Sequence, residues 1–459
     1  MSPAARFTMK RASILIAAIL LLEAGGAAFS QESVFPSLTI DQAMSQAMAN
    51  QPLIQQAQAA VEAAQARVGQ AQSSYYPNLS GIFSYTRVEP DQSFTFNFPP
   101  LPAMSFSLLP VDNWDFHLGL NQVIFQFGRR GIQVRLAENG VAAARIGVGQ
   151  ITTSLVFQTA QLFETTLFLR EQVRALDAQL DNLRQHLNVT QIREQTGSAT
   201  QFEVLSTQVR LASLQSQRTE ADNQYRKQKI ALMQIVGINP SSDIDLVGGF
   251  VQGPDPGDVQ TFVAEAMEKR AEVRQAVAAE EAADLGRQLS ASSGDPTLSA
   301  RGALGYKNGL LPNIEALTFN WVAGVQLNVP LFQGFLTARQ VEEGQQRLRA
   351  AKENTAAVKR NLTTQVLQAY QDLLSARQQV VISGTGLDEA RRMVDVAKVQ
   401  YDIGVITNLE YLDSQTALQM AQMTQLAAAY HEVLSEYTLL QAAGELPGRL
   451  SGTAAVSSP

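Results

Sequence analysis

Apolar residues recur every seven positions through two long parts of the chain. In the first part this repeat consists of Leu155, Leu162, Leu169, Leu176 and Leu183. Heptads sustained over such a length are typical of helices that pack side by side as coiled coils. Proline, the strongest breaker of helix interiors, is absent from 111–239 and from 331–446. The pattern therefore predicts long, uninterrupted helices in both parts.

Each part is expected to hold two consecutive helices. The four are predicted at 128–196, 199–237, 334–403 and 407–443. Gly197 and Gly404 separate the members of each pair, and glycine adopts the positive φ of a sharp turn at low cost. A continuous helix from Gly128 to Gly197 would be about 100 Å long at 1.5 Å per residue. Each pair is thus predicted to form a long antiparallel coiled-coil hairpin.

The chain is written as two copies of one unit. Trp114 and Trp321 lie 207 positions apart, and at this offset the segment 197–208 aligns with 404–415. Matching Gly, Thr, Glu, Leu and Gln residues coincide in the two segments. Two copies are too few for a solenoid, so the sequence predicts a duplicated unit.

The copies are predicted to span 31–237 and 259–444. Each begins with a helical pattern, at 40–74 and at 259–289. Between the copies, 238–258 is rich in Pro, Gly and Asp and is interpreted as a linker. The last residues, 451–459, are small and polar, and 445–459 is expected to be a disordered tail.

Each copy also contains two segments in which apolar and polar residues alternate. They are predicted as strands at about 79–88, 113–125, 297–307 and 317–331. Their apolar positions include four aromatic residues, Trp114, Phe116, Phe319 and Trp321. Strands of about 9–11 residues with one apolar face can cross an outer membrane, and the aromatic residues fit the interfacial girdle of such a protein. A sheet packed on helices would show the same alternation, but each strand pair leads directly into a helix too long for a compact domain.

Four strands are too few for a membrane barrel, since about eight are the practical minimum. An open sheet in lipid would leave backbone N–H and C=O groups unpaired at its edges, which is not tolerated. If the strands lie in a membrane, several chains must therefore share one barrel. The predicted fold class is mainly α with β, with long helical hairpins and four transmembrane β-strands per chain.

Residues 1–30 have the pattern of a secretory signal peptide. Basic residues precede the apolar run 12–22, and small residues follow it up to an expected cleavage site after Ala28 or Ser30. The run of 11 residues is short for a spanning helix, which needs about 20; a short membrane anchor is the alternative. Since no later stretch is predicted as a transmembrane helix, the chain is expected to be exported and to enter a membrane only as strands.

Composition and charge exclude several classes of function. The absence of cysteine excludes disulfide scaffolds, thiolate metal sites and a lipid anchor on an N-terminal cysteine, so the chain is not expected to be a lipoprotein. A formal net charge of −7 argues against binding to nucleic acid. The histidines His117, His186 and His431 have no partner at ligand spacing, and no phosphate-binding loop is present. No enzymatic activity, cofactor or metal is expected.

With its duplication, its two strands per copy and its helix-turn tips at 196–200 and 403–407, the chain resembles the TolC family of outer-membrane efflux proteins. The resemblance implies a homotrimer whose four strands per chain close a twelve-stranded barrel in the outer membrane of a Gram-negative bacterium. The helices then continue the barrel as a hollow periplasmic α-barrel. The tips Gly197, Ser198, Gly404 and Val405 would dock with a periplasmic adaptor. The adaptor would in turn join an inner-membrane pump of the resistance-nodulation-division, ATP-binding cassette or major facilitator type.

The resemblance also implies a gate at the periplasmic entrance. Its acidic residues correspond to Glu410 and Asp413, and a tyrosine of the gate corresponds to Tyr401. Glu203 holds the place of Glu410 in the first copy, whereas Ile406 replaces an arginine of the family. Glu410 and Asp413, at i and i+3, share a helix face, so threefold symmetry would form acidic rings that attract cations; a solvated helix face is the alternative.

Three functions remain open from the sequence. The first is a passive exit duct for drugs, metals, dyes or polypeptides, because a wide tunnel recognises its cargo weakly. The second is the exit channel of a dedicated ATP-driven type I polypeptide secretion system. The third, from a different class, is a periplasmic structural coiled-coil protein that never enters a membrane.

Overall fold

The computed structural model describes residues 37–90, 93–107, 109–242 and 244–446. The predicted signal peptide lies outside these residues, as does the predicted tail beyond Leu446. For the first two residues of that tail the prediction of disorder is wrong. Leu446 is buried between helices, and Glu445 forms an ion pair of 2.9 Å with Lys269.

The helices of the described residues come in matching pairs. They are α1 Ile40–Asn50, α2 Pro52–Gln72, α3 Arg129–Gln195, α4 Gln201–Val236, α5 Val259–Lys269, α6 Ala271–Ala291, α7 Leu336–Asp402 and α8 Asn408–Ala443. The helices α3 and α7 have 67 residues each, and α4 and α8 have 36 each. Equal lengths in the two copies mean that the duplication seen in the sequence is also a duplication of structure.

The first helical pattern of each copy is broken into two helices, whereas the sequence predicted one. In the first copy Pro52 begins α2, and Gln51 before it is extended with ψ of 122°, because a residue before proline avoids the helical region. The second break, at Arg270, has no proline. There the Arg270 guanidinium donates to the Gln441 carbonyl at 2.8 Å and to Glu272 at 2.7 Å. This break thus depends on a contact with α8 that sequence cannot reveal.

The heptad leucines lie in seams between the long helices. Leu176 and Leu183 are buried in one cluster with Leu214 of α4 and with Leu412 of α8. Leu412 is 1% exposed, so the hairpins of the two copies share a core. Sustained heptads therefore pack helices within a copy and also between the copies.

A second core lies where the short helices meet the linker. Phe163 of α3 packs with Leu38, Val236 and Leu246. Leu38 and Leu246 belong to two short strands, β1 Ser37–Leu38 and β6 Asp245–Leu246, which pair in parallel. The linker is therefore fixed to the body of the protein through backbone hydrogen bonds that the sequence analysis did not predict.

Four strands form one antiparallel sheet at the end of the hairpins away from the turns. They are β2 Asn78–Arg87, β5 Asp112–Phe125, β7 Thr297–Lys307 and β8 Thr318–Asn328, in that order. Strands β2 and β8 form the edges and have no further partner among the described residues. The connection between β2 and β5 carries a hairpin of β3 Ser93–Phe96 and β4 Met104–Ser107.

One face of this sheet is apolar and uncovered. Along β5, Trp114, Phe116 and Leu118 are exposed, while Asp115 and His117 between them are partly covered. Exposure of this many large apolar side chains in a row indicates an interaction surface for lipid or protein.

By length and composition alone, one described helix, α3, is apolar enough over an 18-residue stretch to cross a membrane. The sequence analysis expected no such segment. Apolar side chains of α3 such as Leu155, Val156 and Phe163 are buried against other elements of this protein. Only 17% of the apolar stretch itself is buried within this chain, and length and composition alone are weak evidence for a membrane span.

Glu164 of α3 is an ionisable group in the core. It is 6% exposed, and its Oε2 atom has no hydrogen-bond partner among the described residues. Burial disfavours the charged form and raises the pKa of Glu164 to about 7. Since the folded-state pKa exceeds the ordinary value of 4.5, the folded chain loses stability as pH rises from about 4.5 to 7, and the loss stays constant above that.

We expect Glu164→Gln to stabilise the protein at pH 8 by up to about 3 kcal/mol, because it removes a charge that the core solvates poorly. At pH 4, where Glu164 is mostly protonated in both states, the effect should vanish. Thermal unfolding of the full chain at pH 4, 6 and 8 measures this. Asp181→Asn on the exposed side of α3 is the control; an equal gain from Glu164→Gln at pH 4 and pH 8 would contradict the assignment.

Candidate functional site at the helix-turn tips

The turns that end the two hairpins have the same backbone geometry. Gly197 and Gly404 adopt φ of +77° and +78°. The next N–H groups, those of Ser198 and Val405, donate to carbonyls of the preceding helix at 2.7 and 2.8 Å. All four residues are exposed. The predicted adaptor-facing residues therefore form two similar exposed corners, one from each copy.

Glu410, predicted as a gate acid, caps the first turn of its own helix. Its Oε2 atom accepts hydrogen bonds from the Thr407 N–H at 2.7 Å and from the Thr407 hydroxyl at 2.8 Å. The Thr407 hydroxyl oxygen in turn accepts from the Glu410 N–H at 3.3 Å, which completes a capping box. These bonds lower the pKa of the exposed Glu410 carboxyl. Glu410 is thus ionised but directed to its own backbone.

Glu203, the counterpart in the first copy, is capped differently. The Thr200 hydroxyl accepts from the Glu203 N–H at 3.3 Å, but within the described residues the Glu203 carboxylate accepts no hydrogen bond from the Thr200 N–H. Glu203 is partly buried, and its carboxylate does not close a capping box as that of Glu410 does. The two aligned glutamates therefore differ in how available their charges are.

Tyr401, the predicted gate tyrosine, is 7% exposed and lies inside an aromatic cluster. Its ring stacks on Tyr411 at 5.4 Å, and the Arg193 guanidinium lies 4.8 Å from its centroid. Ile406, at the place of the family arginine, packs against the same cluster. An apolar contact thus takes the position where the resemblance implied a charged one.

A buried polar pair joins the two hairpins beside this cluster. His186 of α3 and Asn408 of α8 are 8% and 4% exposed, and His186 Nε2 lies 2.7 Å from Asn408 Oδ1. Asn408 also donates to the Thr207 hydroxyl at 3.4 Å. Burial lowers the pKa of His186, so the neutral ring donates from Nε2 to the amide oxygen.

Two ion pairs connect the hairpins at the surface near the tips. Arg193 of α3 pairs with Asp402 of α7 at 3.0 Å, and Arg210 of α4 pairs with Asp413 of α8 at 2.5 Å. Arg210 also donates to the Thr416 hydroxyl at 2.7 Å. The second predicted gate acid, Asp413, is therefore neutralised by an arginine of the other copy rather than standing beside Glu410 as a second unpaired acid.

Sequence reasoning missed both arginines, although a signal was present. In each pair the first copy supplies Arg and the second copy supplies Asp. The aligned positions at the offset of 207 are uncharged: Gln400 and Ala417 for the arginines, Gln195 and Ser206 for the aspartates. A comparison of charge between the aligned copies would have identified these residues as complementary.

The predicted membrane-interface aromatics lie in the sheet, far from the tips. Trp114 contacts Tyr85 at 4.5 Å, and Phe319 contacts Tyr306 at 5.5 Å between ring centroids. The 67-residue helix that follows β5 is about 100 Å long. The aromatic and acidic sites are thus separated by almost the full length of the hairpin.

Comparison with known proteins gives matches along most of the chain. A model of the family described as outer membrane efflux protein matches residues 43–238 and 262–445. Outer membrane efflux protein BepC of Brucella suis is 20% identical over 441 residues, which cover 96% of this chain and 92% of BepC. Alkaline protease secretion protein AprF of Pseudomonas aeruginosa is 23% identical over 292 residues, 62% of this chain and 60% of AprF.

A solved structure agrees with the fold. The Campylobacter jejuni CmeC outer membrane channel matches with a TM-score of 0.71 and 18% identity, over 88% of this chain and 85% of CmeC. At this identity the match concerns the fold alone. Because the family model matches both copies and well over half of the residues, the chain belongs to the outer membrane efflux protein family.

Proposed function

We propose that this chain is one protomer of a trimeric, passive exit duct in the outer membrane of a Gram-negative bacterium. The observation that carries the proposal is the sheet β2-β5-β7-β8, whose two edges lack partners among the described residues and whose apolar face is uncovered. Three such sheets joined edge to edge would pair every strand in a barrel of about twelve strands, within the known range of membrane barrels.

The helices would extend the duct into the periplasm. Hairpins about 100 Å long with seams between and within the copies form a curved wall, and three protomers would close it. The exposed corners at Gly197 and Gly404 would bind a periplasmic adaptor, and through it an inner-membrane pump of the resistance-nodulation-division, ATP-binding cassette or major facilitator type. The pump supplies the energy, so the duct itself needs no catalytic step or cofactor.

The narrow end of the duct would be held shut by contacts between the two hairpins of one protomer. Arg193–Asp402 and Arg210–Asp413 are partly exposed pairs, each worth about 0.2–1 kcal/mol. Their sum is small enough for the binding of an adaptor to overcome. Tyr401 and Glu203 would lie at this constriction with Glu410 and Asp413.

The type I polypeptide secretion channel remains the second candidate. The observation in its favour is the similarity to AprF, which is named for secretion of an alkaline protease. The periplasmic coiled-coil protein is disfavoured by the sheet, because residues such as Trp321, 70% exposed, and Phe319, 54% exposed, would remain in water.

Cross-linking tests the shared barrel. The chain has no cysteine, so any disulfide that forms must join the engineered cysteines. Each double variant combines Ile82→Cys on edge strand β2 with one cysteine on β8, and oxidation in outer-membrane vesicles should give covalent trimers. Of the β8 positions tested one at a time, only those on one face of the sheet should cross-link. Leu118→Cys on the central strand β5 replaces Ile82→Cys in the control and should give none. Recovery of the protein only from the water-soluble periplasmic fraction would refute the duct.

Loss of one ion pair between the hairpins should favour the open duct. Arg210→Ala removes about 1 kcal/mol or less from the closed state, which corresponds to an increase of up to about fivefold in the ratio of open to closed channels. Single-channel recording in planar bilayers measures this ratio. Arg218→Ala is a matched control, because Arg218 lies on the same helix and pairs with Asp177 of its own copy at 2.9 Å. Equal opening by both variants would remove Arg210 from the gate.

The gate acids can be tested by divalent-cation block of the open channel. Glu410→Gln with Asp413→Asn should raise the concentration of Mg²⁺ that halves the conductance several-fold. In the open channel Asp413 would be released from Arg210 and Glu410 stays ionised, so the two acids would form carboxylate rings that attract cations. Asp388→Asn with Glu389→Gln removes the same charge from α7 and should change the block less. An unchanged block in the first variant would exclude Glu410 and Asp413 from the constriction.

A further inference from the structure

A cavity of about 380 Å³ lies beside the second core, far along α3 from the tips. Its walls come from α1, the linker residues 247–254, α3 and α8. Small-molecule sites in proteins commonly enclose about 300–1,000 Å³. The cavity is therefore large enough for a small organic molecule and is separate from the gate described above.

Most of the wall is apolar, but one buried carboxylate interrupts it. Met44, Phe163, Val433 and Leu440 provide apolar surface. Glu164 belongs to the same wall, is 6% exposed, and has an Oε2 atom without a hydrogen-bond partner in the described residues. Burying such a group without a partner costs free energy, and a bound cation would offset that cost.

The charges around the cavity are of one sign. Asp41 from α1 and Glu436 from α8 also line it, together with the side chain of Tyr437, and no Lys or Arg is among the described residues that line it. Two arginines of the adjacent helices α3 and α7 are engaged elsewhere. Arg170 bonds to the Leu246 carbonyl and to Glu171, and Arg377 donates to the Pro254 carbonyl at 2.6 Å. No basic side chain described here is available to neutralise Glu164.

The second copy does not reproduce this arrangement. At the offset of 207, Gln371 takes the place of Glu164 and is exposed. A carboxylate buried in one copy and replaced by an exposed amide in the other is not required by the duplicated helix packing. The buried carboxylate is therefore specific to the first copy.

We propose that this cavity binds an amphipathic organic monocation, with its ammonium group on the Glu164 carboxylate and its apolar part against Phe163, Met44 and Leu440. A buried carboxylate makes a strong charge-assisted hydrogen bond to such a group, and the apolar wall gains from covering hydrocarbon. This site lies outside the gate, and the proposal does not depend on the trimeric duct.

Calorimetric titration of the purified full chain in detergent with 2-phenylethylammonium tests the site, and 2-phenylethanol serves as the neutral ligand of the same shape. At pH 8 the amine should bind at one site per chain, at least tenfold more tightly than the alcohol. Glu164→Gln should weaken the amine at least tenfold and leave the alcohol unchanged. Asp181→Asn removes one exposed negative charge from α3 and should leave the affinities for the amine and the alcohol unchanged.

The wild-type protein also gives a test that needs no variant. With a Glu164 pKa of about 7 and a ligand that stays charged, binding should weaken about tenfold from pH 8 to pH 6 as the carboxyl takes up its proton. The proposal is overturned if the amine does not bind, if alcohol and amine bind equally, or if Glu164→Gln binds the amine as the wild type does.

Discussion

The rule that backbone N–H and C=O groups must be paired in lipid decides the architecture of this protein. Its sheet has four strands, an apolar face and two edges without partners among the described residues, so a single chain cannot satisfy the rule in a membrane. Closing the sheet with further copies removes the edges and turns the apolar face to lipid. In the proposed trimer, the threefold assembly, the orientation of the helices and the position of the tips would all follow from that closure.

The strength of the contacts between helices differs sharply along the molecule. The seams around Leu176 and Leu412 bury apolar side chains, each worth about 1.5–3 kcal/mol, and keep the long helices in register. At the tips the hairpins are joined by exposed ion pairs and by one buried pair, His186–Asn408. Strong apolar packing along the hairpins and weak polar contacts at the tips would suit a channel that opens only at its tip. The Ile406 contact fits this arrangement, because it fills the aromatic cluster without adding a further charged tether.

Much of the fold could be predicted because it is local or periodic. The seven-residue repeat, the glycines at the turns and the alternation around Trp114 predicted the helices, tips and strands to within a few residues. The break at Pro52 was also visible in principle, whereas the one at Arg270 depends on a carbonyl of α8, 171 positions away. The contacts at the tips were predicted less well for the same reason. Arg210 and Asp413 are 203 positions apart, and no local pattern relates them.

By itself the sequence determined the repeat, the lengths of the helices, the alternation of the strands and the absence of thiol chemistry, because periodicity and composition specify which faces must be buried. Only the tertiary structure decided which carboxylates are paired and which are left without a partner. It directs Glu410 to its own cap, neutralises Asp413 with Arg210 and leaves Glu164 buried at a cavity without a basic partner in the described residues. The physical reason is that the state of a charge depends on its neighbours in space and on its burial, and both arise from packing two distant copies of the chain against each other.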